Sequence, residues 1–215
     1  SSNLNLFWKR AKGYMDVVAY RGNSTSGHVV PHSLGVIPEM SIFKSRAGQY
    51  ASDSQWSVFH KDLPTNTILK LNSTNAQQTN SDYAVSFSDT ATTFNTTWGT
   101  INGTGYTHLH LLFATLDGIS KVGSFTATGY DVNVNCGFSN GARFVLIKQT
   151  NSAGEWWLWD TARGITAGND SRLKLHDGTA AVTSADNIDP LSSGFTMDSN
   201  ILGSSGNTFI FYAIA

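Results

Sequence analysis

The chain repeats itself. The stretch "VVPHSLGVIPEMSIFK" (residues 29–44) lies over "NVNCGFSNGARFVLIK" (133–148) without a gap, so that His32 meets Cys136 and Lys44 meets Lys148. In the same order, "QWSVFH" (55–60) lies over "EWWLWD" (155–160), and "LKLNSTNA" (69–76) over "LKLHDGTA" (173–180). "NGTGYTHLHLLFA" (102–114) lies over "GSSGNTFIFYAIA" (203–215), with Gly105 on Gly206 and Ala114 on Ala215. Agreement in both order and spacing over nearly the whole length is the mark of a duplicated structural unit. The division is a lead-in over residues 1–13, a first repeat over 14–116 and a second over 117–215. Each repeat, at about 100 residues, is large enough for a small sandwich.

The building blocks are strands. "MDVVAY", "EMSIFKS", "QWSVFH", "TILKLN", "ARFVLIKQ", "EWWLWD" and "TFIFYAIA" are short and rich in β-branched and aromatic residues; several alternate apolar with polar. "RGNSTSG", "NGTG", "NSAG", "HDG" and "GSSGN" between them are turn chemistry. No stretch of twelve or more residues carries a helical period. The expected class is all-β: two similar β-sandwich (jelly-roll-like) halves related by internal duplication, packed side by side or fused into one pseudo-twofold unit. The last strand of each repeat, "LHLLFA" and "FIFYAIA", is apolar on both faces and is expected at a central position in its sheet.

Comparing the copies divides the tryptophans of "GEWWLWDTARG" (154–164). Alternate strand residues face opposite ways. One face holds Trp156, Leu158 and Asp160 against Trp56, Val58 and His60, and its shared Trp and aliphatic pair reads as core. The other holds Trp157, Trp159 and Thr161 against Ser57, Phe59 and Lys61, and is expected nearer to solvent or to the neighbouring repeat. That makes Trp157 and Trp159, with Asp160 and Arg163 beside them, the candidate ligand-binding residues.

Catalytic arrangements are not found. The chain has two glutamates, Glu39 and Glu155, and no pair of carboxylates that would serve as acid and nucleophile of a glycosidase. His108 and His110 share a strand face at a spacing usable for a metal, but they align with Phe209 and Phe211, which favours packing. No phosphate-cradling loop opens a helix and no nucleophile elbow occurs. The Asx-rich "GYDVNVN" and "GNDS" read as turns rather than calcium loops. The single cysteine, Cys136, excludes a disulfide within the chain and reads as a small buried hydrophobe. Neither a catalytic residue, a metal nor a cofactor is expected.

Composition narrows the partners. A net charge of −1 without a basic run gives no electrostatic footprint for nucleic acid. No apolar run is long enough to span a membrane. Charged residues make up only 13%, about half the usual share, and Ser, Thr, Asn and Gly take their place. Such a surface suits an extracellular or virion protein of strands and turns.

Together "FWKRAKGYMDVVAYRGN", "HSLGVIPEMSIFK", "GARFVLIKQTNSAGEWWLWDTARGI", "DPLSSGF" and "FIFYAIA" resemble an uncharacterised repeated β-domain at the C-terminal end of large tailed-phage virion proteins, over residues 7–215. The resemblance implies a non-enzymatic virion protein, a tail-fibre or appendage module that is usually oligomeric, with a trimer the common case. Its partners would be other virion subunits and a host-surface glycan or envelope protein, held by multivalent contact. The rival expectations are an architectural cementing protein without a host ligand and, behind it, a polysaccharide depolymerase. The resemblance brings no binding residues with it.

Overall fold

The computed structural model describes residues 6–47, 55–97 and 99–215; the first five residues of the lead-in fall outside this range. In chain order the first repeat forms β1 (Met15–Arg21), β2 (His28–Pro31), β3 (Met40–Ala47), β4 (Trp56–His60), β5 (Thr67–Lys70), β6 (Gln78–Thr79), β7 (Val85–Phe87), β8 (Ala91–Phe94), the one-turn helix α1 (Gly99–Asn102) and β9 (Thr107–Phe113). The second forms β10 (Ser120–Thr126), β11 (Val132–Asn135), β12 (Phe144–Gln149), β13 (Trp156–Asp160), β14 (Asp170–Lys174), β15 (Val182–Ala185), β16 (Ile188–Leu191), β17 (Gly194–Met197), the one-turn helix α2 (Ser199–Leu202) and β18 (Thr208–Ile214). The order of strands and one-turn helices is the same in both, and the first repeat adds a short 3-10 helix over Ser81–Tyr83.

So is the pairing. The first repeat has a six-stranded sheet in the order β1-β9-β3-β4-β5-β6 and a three-stranded sheet β2-β8-β7. The second has β10-β18-β12-β13-β14-β15 and β11-β17-β16. Equivalent registers recur: Lys44 pairs with Trp56 as Lys148 pairs with Trp156, and Ser41 with Phe59 as Val145 with Trp159. Gly105 and Gly206, aligned in sequence, both turn the chain before the last strand at φ of +85° and +92°, a region that glycine enters without steric cost. The protein is thus all-β, made of two similar sandwiches. β9 and β18 are flanked on both sides by strands of their own sheets, the central placement expected of strands apolar on both faces.

Four layers stack: three strands, six, six, three. Two of the interlayer spaces lie inside the repeats. In the first repeat Val30, Phe43, Phe59, Ile68, Phe94 and Ile101 fill this space. In the second Val134, Phe138, Val145, Ile147, Trp159, Phe195 and Phe211 do so. The third space lies between the two six-stranded sheets. There Met40, Ile42, Val58, Leu69 and Phe113 of the first repeat meet Phe144, Leu146, Trp156, Leu158, Ile210 and Tyr212 of the second. Each such side chain, fully buried, contributes about 1.5–3 kcal/mol relative to exposure, so this seam is a true core and the repeats are fused through it.

Polar bonds cross the seam at one end. The Trp156 indole Nε1 donates to the Lys70 carbonyl at 2.9 Å, Gly154 N to Thr74 O at 2.8 Å and Gln77 N to Thr150 O at 2.9 Å. Lys148 is fully buried there, its Nζ donating to the carbonyls of Thr74 at 3.2 Å and Gln149 at 2.9 Å. Burial pulls its ammonium down to about 8.

Candidate functional site

The structure separates the four residues singled out in "WWLWDTARG". Trp156 and Leu158 face the seam, not the interior of their own sandwich. Trp157 and Trp159 face inward, toward the three-stranded sheet β11-β17-β16. Trp159 is 0% exposed, and the expectation that it contacts a ligand is therefore corrected: it is core. Trp157 is half-buried against the same cluster, its ring centroid 6.4 Å from that of Trp159. The Arg172 guanidinium stacks over it at 4.2 Å and Lys174 Nζ lies 5.6 Å away, so what Trp157 offers to solvent is an edge roofed by two cations.

The expected exposure of this face fails for a physical reason. Ser57, small and polar, is 1% exposed. In both repeats residues pack in cross-strand rows, and bulk is moved along the row. The first repeat sets Ser57 beside Phe43 and His110; the second sets Trp157 beside Ile147 and Phe211. A small residue at one position is offset by larger neighbours, as close packing requires, and says nothing about water.

Asp160 and Arg163 do reach an open surface. Asp160 ends β13 on the seam side. Its carboxylate accepts from Arg163 N at 3.0 Å, and its carbonyl accepts from Gly164 N at 3.1 Å, which closes the turn. The Arg163 guanidinium Nη1 forms an ion pair with Asp160 Oδ2. These two groups, with Arg143 and Thr161, make one wall of a cleft of about 720 Å³ at the end of the seam opposite Lys148. The lead-in lines the other side through Phe7 and Trp8, joined by Tyr14 at the start of the first repeat. Trp8 is anchored edge-on to Phe113 of the first repeat at 5.4 Å and to Phe144 of the second at 6.2 Å, bridging the seam. Phe7 beside it is 90% exposed.

Arg143 donates its Nε to the Ala215 main-chain oxygen at 2.5 Å. The lining carries two guanidinium groups and one carboxylate, Arg163 paired with Asp160 and Arg143 bonded to Ala215. Its volume is in the range of small-molecule sites, and its walls combine aromatic surface with charged donors. Arg143, Tyr14, Phe7 and Trp8 were not singled out from the sequence; for Phe7 and Trp8 the aromatic and basic character of "FWKRAK" was the available signal, and Arg143 and Tyr14 had none.

The other chemistry-bearing residues lie elsewhere. Glu39 pairs with Lys61 at 2.8 Å in the first repeat, and Glu155 with Lys174 at 3.1 Å and His176 at 2.7 Å in the second. His108 and His110 point into the first repeat, both 0% exposed, where the second repeat has Phe209 and Phe211. His110 stacks on Phe43 at 3.7 Å and His108 on Tyr20 at 4.9 Å. Burial lowers His108 to about 4 and His110 well below its ordinary value. Among the described residues, no group of three or more His, Cys, Asp or Glu is placed to hold a metal ion. Cys136 is buried, its thiol pushed up to about 12 by loss of water.

A family described as a domain of unknown function (DUF7483) matches residues 9–215. No curated protein and no solved structure matches the chain.

Proposed function

We propose that this chain, which belongs to the DUF7483 family of unknown function, is a non-enzymatic module of a tailed-phage particle that grips the host surface through the cleft at the end of the seam. The observation that carries the reading is the facing of the Asp160–Arg163 ion pair and Arg143 across an open cleft from the aromatic lead-in. Aromatic faces take the C–H faces of sugars, and guanidinium and carboxylate groups take hydroxyls in charge-assisted bonds. Guanidinium groups can also take a carboxylate or phosphate group of a surface glycan in bidentate bonds. A single open cleft binds weakly; an oligomeric particle, trimeric in this reading, multiplies the contact by effective concentration. The charge-poor, hydroxyl- and amide-rich composition and the resemblance to virion β-domains support the placement on a virion.

The test is binding of the protein to host envelope and to an array of acidic and neutral bacterial glycans. Arg163→Ala with Arg143→Ala is expected to lower retention at least tenfold while the melting temperature stays within a few degrees. Retention unchanged in the folded double variant overturns the reading. An architectural role has one observation in its favour: Phe7 and Tyr130 are 90% and 78% exposed, which suits contact with other subunits. That role predicts no glycan retention by any form of the protein.

A further inference from the structure

The first repeat holds a cleft at a place where its sister sets larger side chains. It has a volume of about 310 Å³ and lies at one end of the interlayer space, between the β3–β5 side of the six-stranded sheet and β7. Ser41, Phe59 and Phe87 line its depth, and Glu39 and Lys61 line it as an ion pair of 2.8 Å. Here one row of the sheet reads Leu112, Ser41, Phe59; the equivalent row in the second repeat reads Ala213, Val145, Trp159. Trp159 is among the largest fully buried side chains of the protein.

What remains in the cleft is the recognition chemistry of a small neutral polyol. Ser41 Oγ is buried and has no hydrogen-bond partner, so a donor and acceptor waits at the bottom. Lys61 has three N–H groups and gives one to Glu39 Oε1. Glu39 accepts from Lys61 and, at Oε2, from Thr115 N at 2.8 Å, and a carboxylate has room for more. The two charges cancel, which disfavours an ionic ligand. Phe59, Phe87 and Leu63 supply flat and aliphatic surface for C–H groups. The volume sits at the low end for ligand sites, enough for one ring. We propose that this cleft binds a single neutral pyranose unit, its C–H face on the phenylalanines and a hydroxyl on Ser41 Oγ. The site is separate from the cleft at Asp160 and Arg163 and does not rest on the function proposed for it.

The experiment is NMR titration of the intact chain with methyl α-glucopyranoside, methyl β-galactopyranoside and methyl N-acetyl-β-glucosaminide, with cyclohexanol as a ring lacking the polyol pattern. At least one pyranoside is expected to shift the resonances of Ser41, Phe59 and Phe87, with a dissociation constant of about 1 mM. Ser41→Val and Phe59→Trp both copy the second repeat; the first is expected to weaken binding about tenfold and the second to abolish it. The variant lacking Arg143 and Arg163 is expected to bind as the parent does, which separates this site from the other. Absence of pyranoside-induced shifts at these residues, equal binding by cyclohexanol, or parent-like affinity in Ser41→Val overturns the proposal. Should Phe59→Trp fail to fold, Ser41→Val decides.

Discussion

Acid should loosen this protein through three imidazoles. His108 and His110 lie inside the first sandwich, and His60 lies in a buried position at the end of β4. Burial lowers His60 and His108 to about 4 and His110 well below its ordinary 6.5. The ring nitrogens of His108 and His110 have no hydrogen-bond partner, and the charges that act on them are the imidazoles of His28 and His32, which oppose protonation. Because the folded values lie below the unfolded one, the unfolded chain binds more protons once the pH falls below about 6.5. Stability is therefore complete above that pH and is lost as the pH falls toward the folded values. At pH 5 a histidine titrating at 6.5 when unfolded and at about 4 when folded costs about 2 kcal/mol. His60, lowered to the same value, costs as much again, and His110 adds to the loss, against a usual total of about 5–15 kcal/mol. The double variant His108→Phe, His110→Phe copies Phe209 and Phe211 of the second repeat and should retain only about 2 kcal/mol of the loss, the share of His60. The assay is urea denaturation followed by tryptophan fluorescence at pH 7 and pH 5. With a slope of about 3 kcal/mol/M, the parent midpoint should fall by more than about 1 M and that of the variant by under about 1 M. Any packing cost of the phenylalanines cancels, since each protein is compared with itself. Equal pH-dependent losses in parent and variant would refute the reasoning.

Other outcomes follow from the same packing. Trp159→Ala should lower stability by about 3–5 kcal/mol, measured by calorimetry; a melting temperature unchanged from the parent would mean that the indole is not core. Gly194→Ala should cost more than about 3 kcal/mol, because a Cβ there overlaps the Val134 carbonyl in the β11–β17 pair; near-parental midpoints in denaturant would contradict that close approach. Cys136 should resist iodoacetamide at pH 8 in the folded protein and react in 6 M urea, since its thiol is buried and held at about 12; mass spectrometry showing rapid alkylation of the native form would count against it. Trp157→Ala should remove the stacked site of Arg172 at about 1–2 kcal/mol of stability without changing glycan retention, which the array used for Arg143 and Arg163 would show.

The candidate site was half legible. Asp160 and Arg163 could be found because both belong to one turn, and an aspartate that accepts from the backbone three residues on announces itself locally. Arg143, Tyr14 and Phe7 share the cleft only because the seam brings β12, β13 and the lead-in to one end of the molecule. No spacing along the chain carries that information. The second cleft was hidden differently: Ser41 and Phe59 look ordinary until they are set beside Val145 and Trp159 in register.

By itself the sequence determined that the chain is made of strands, that it is built twice, and which residues the two copies place at equivalent points. Local alternation and turn chemistry suffice for that, because they act over a few residues. Only the tertiary structure decided what each face meets. A strand in an outer layer has one wet face, but β4 and β13 belong to the inner two of four layers, so both of their faces pack against other layers and are mostly buried. Periodicity marks two sides and cannot tell a sandwich interior from a seam between sandwiches: the Trp56 and Trp156 side turned out to join the repeats, and the Trp159 side to fill one of them.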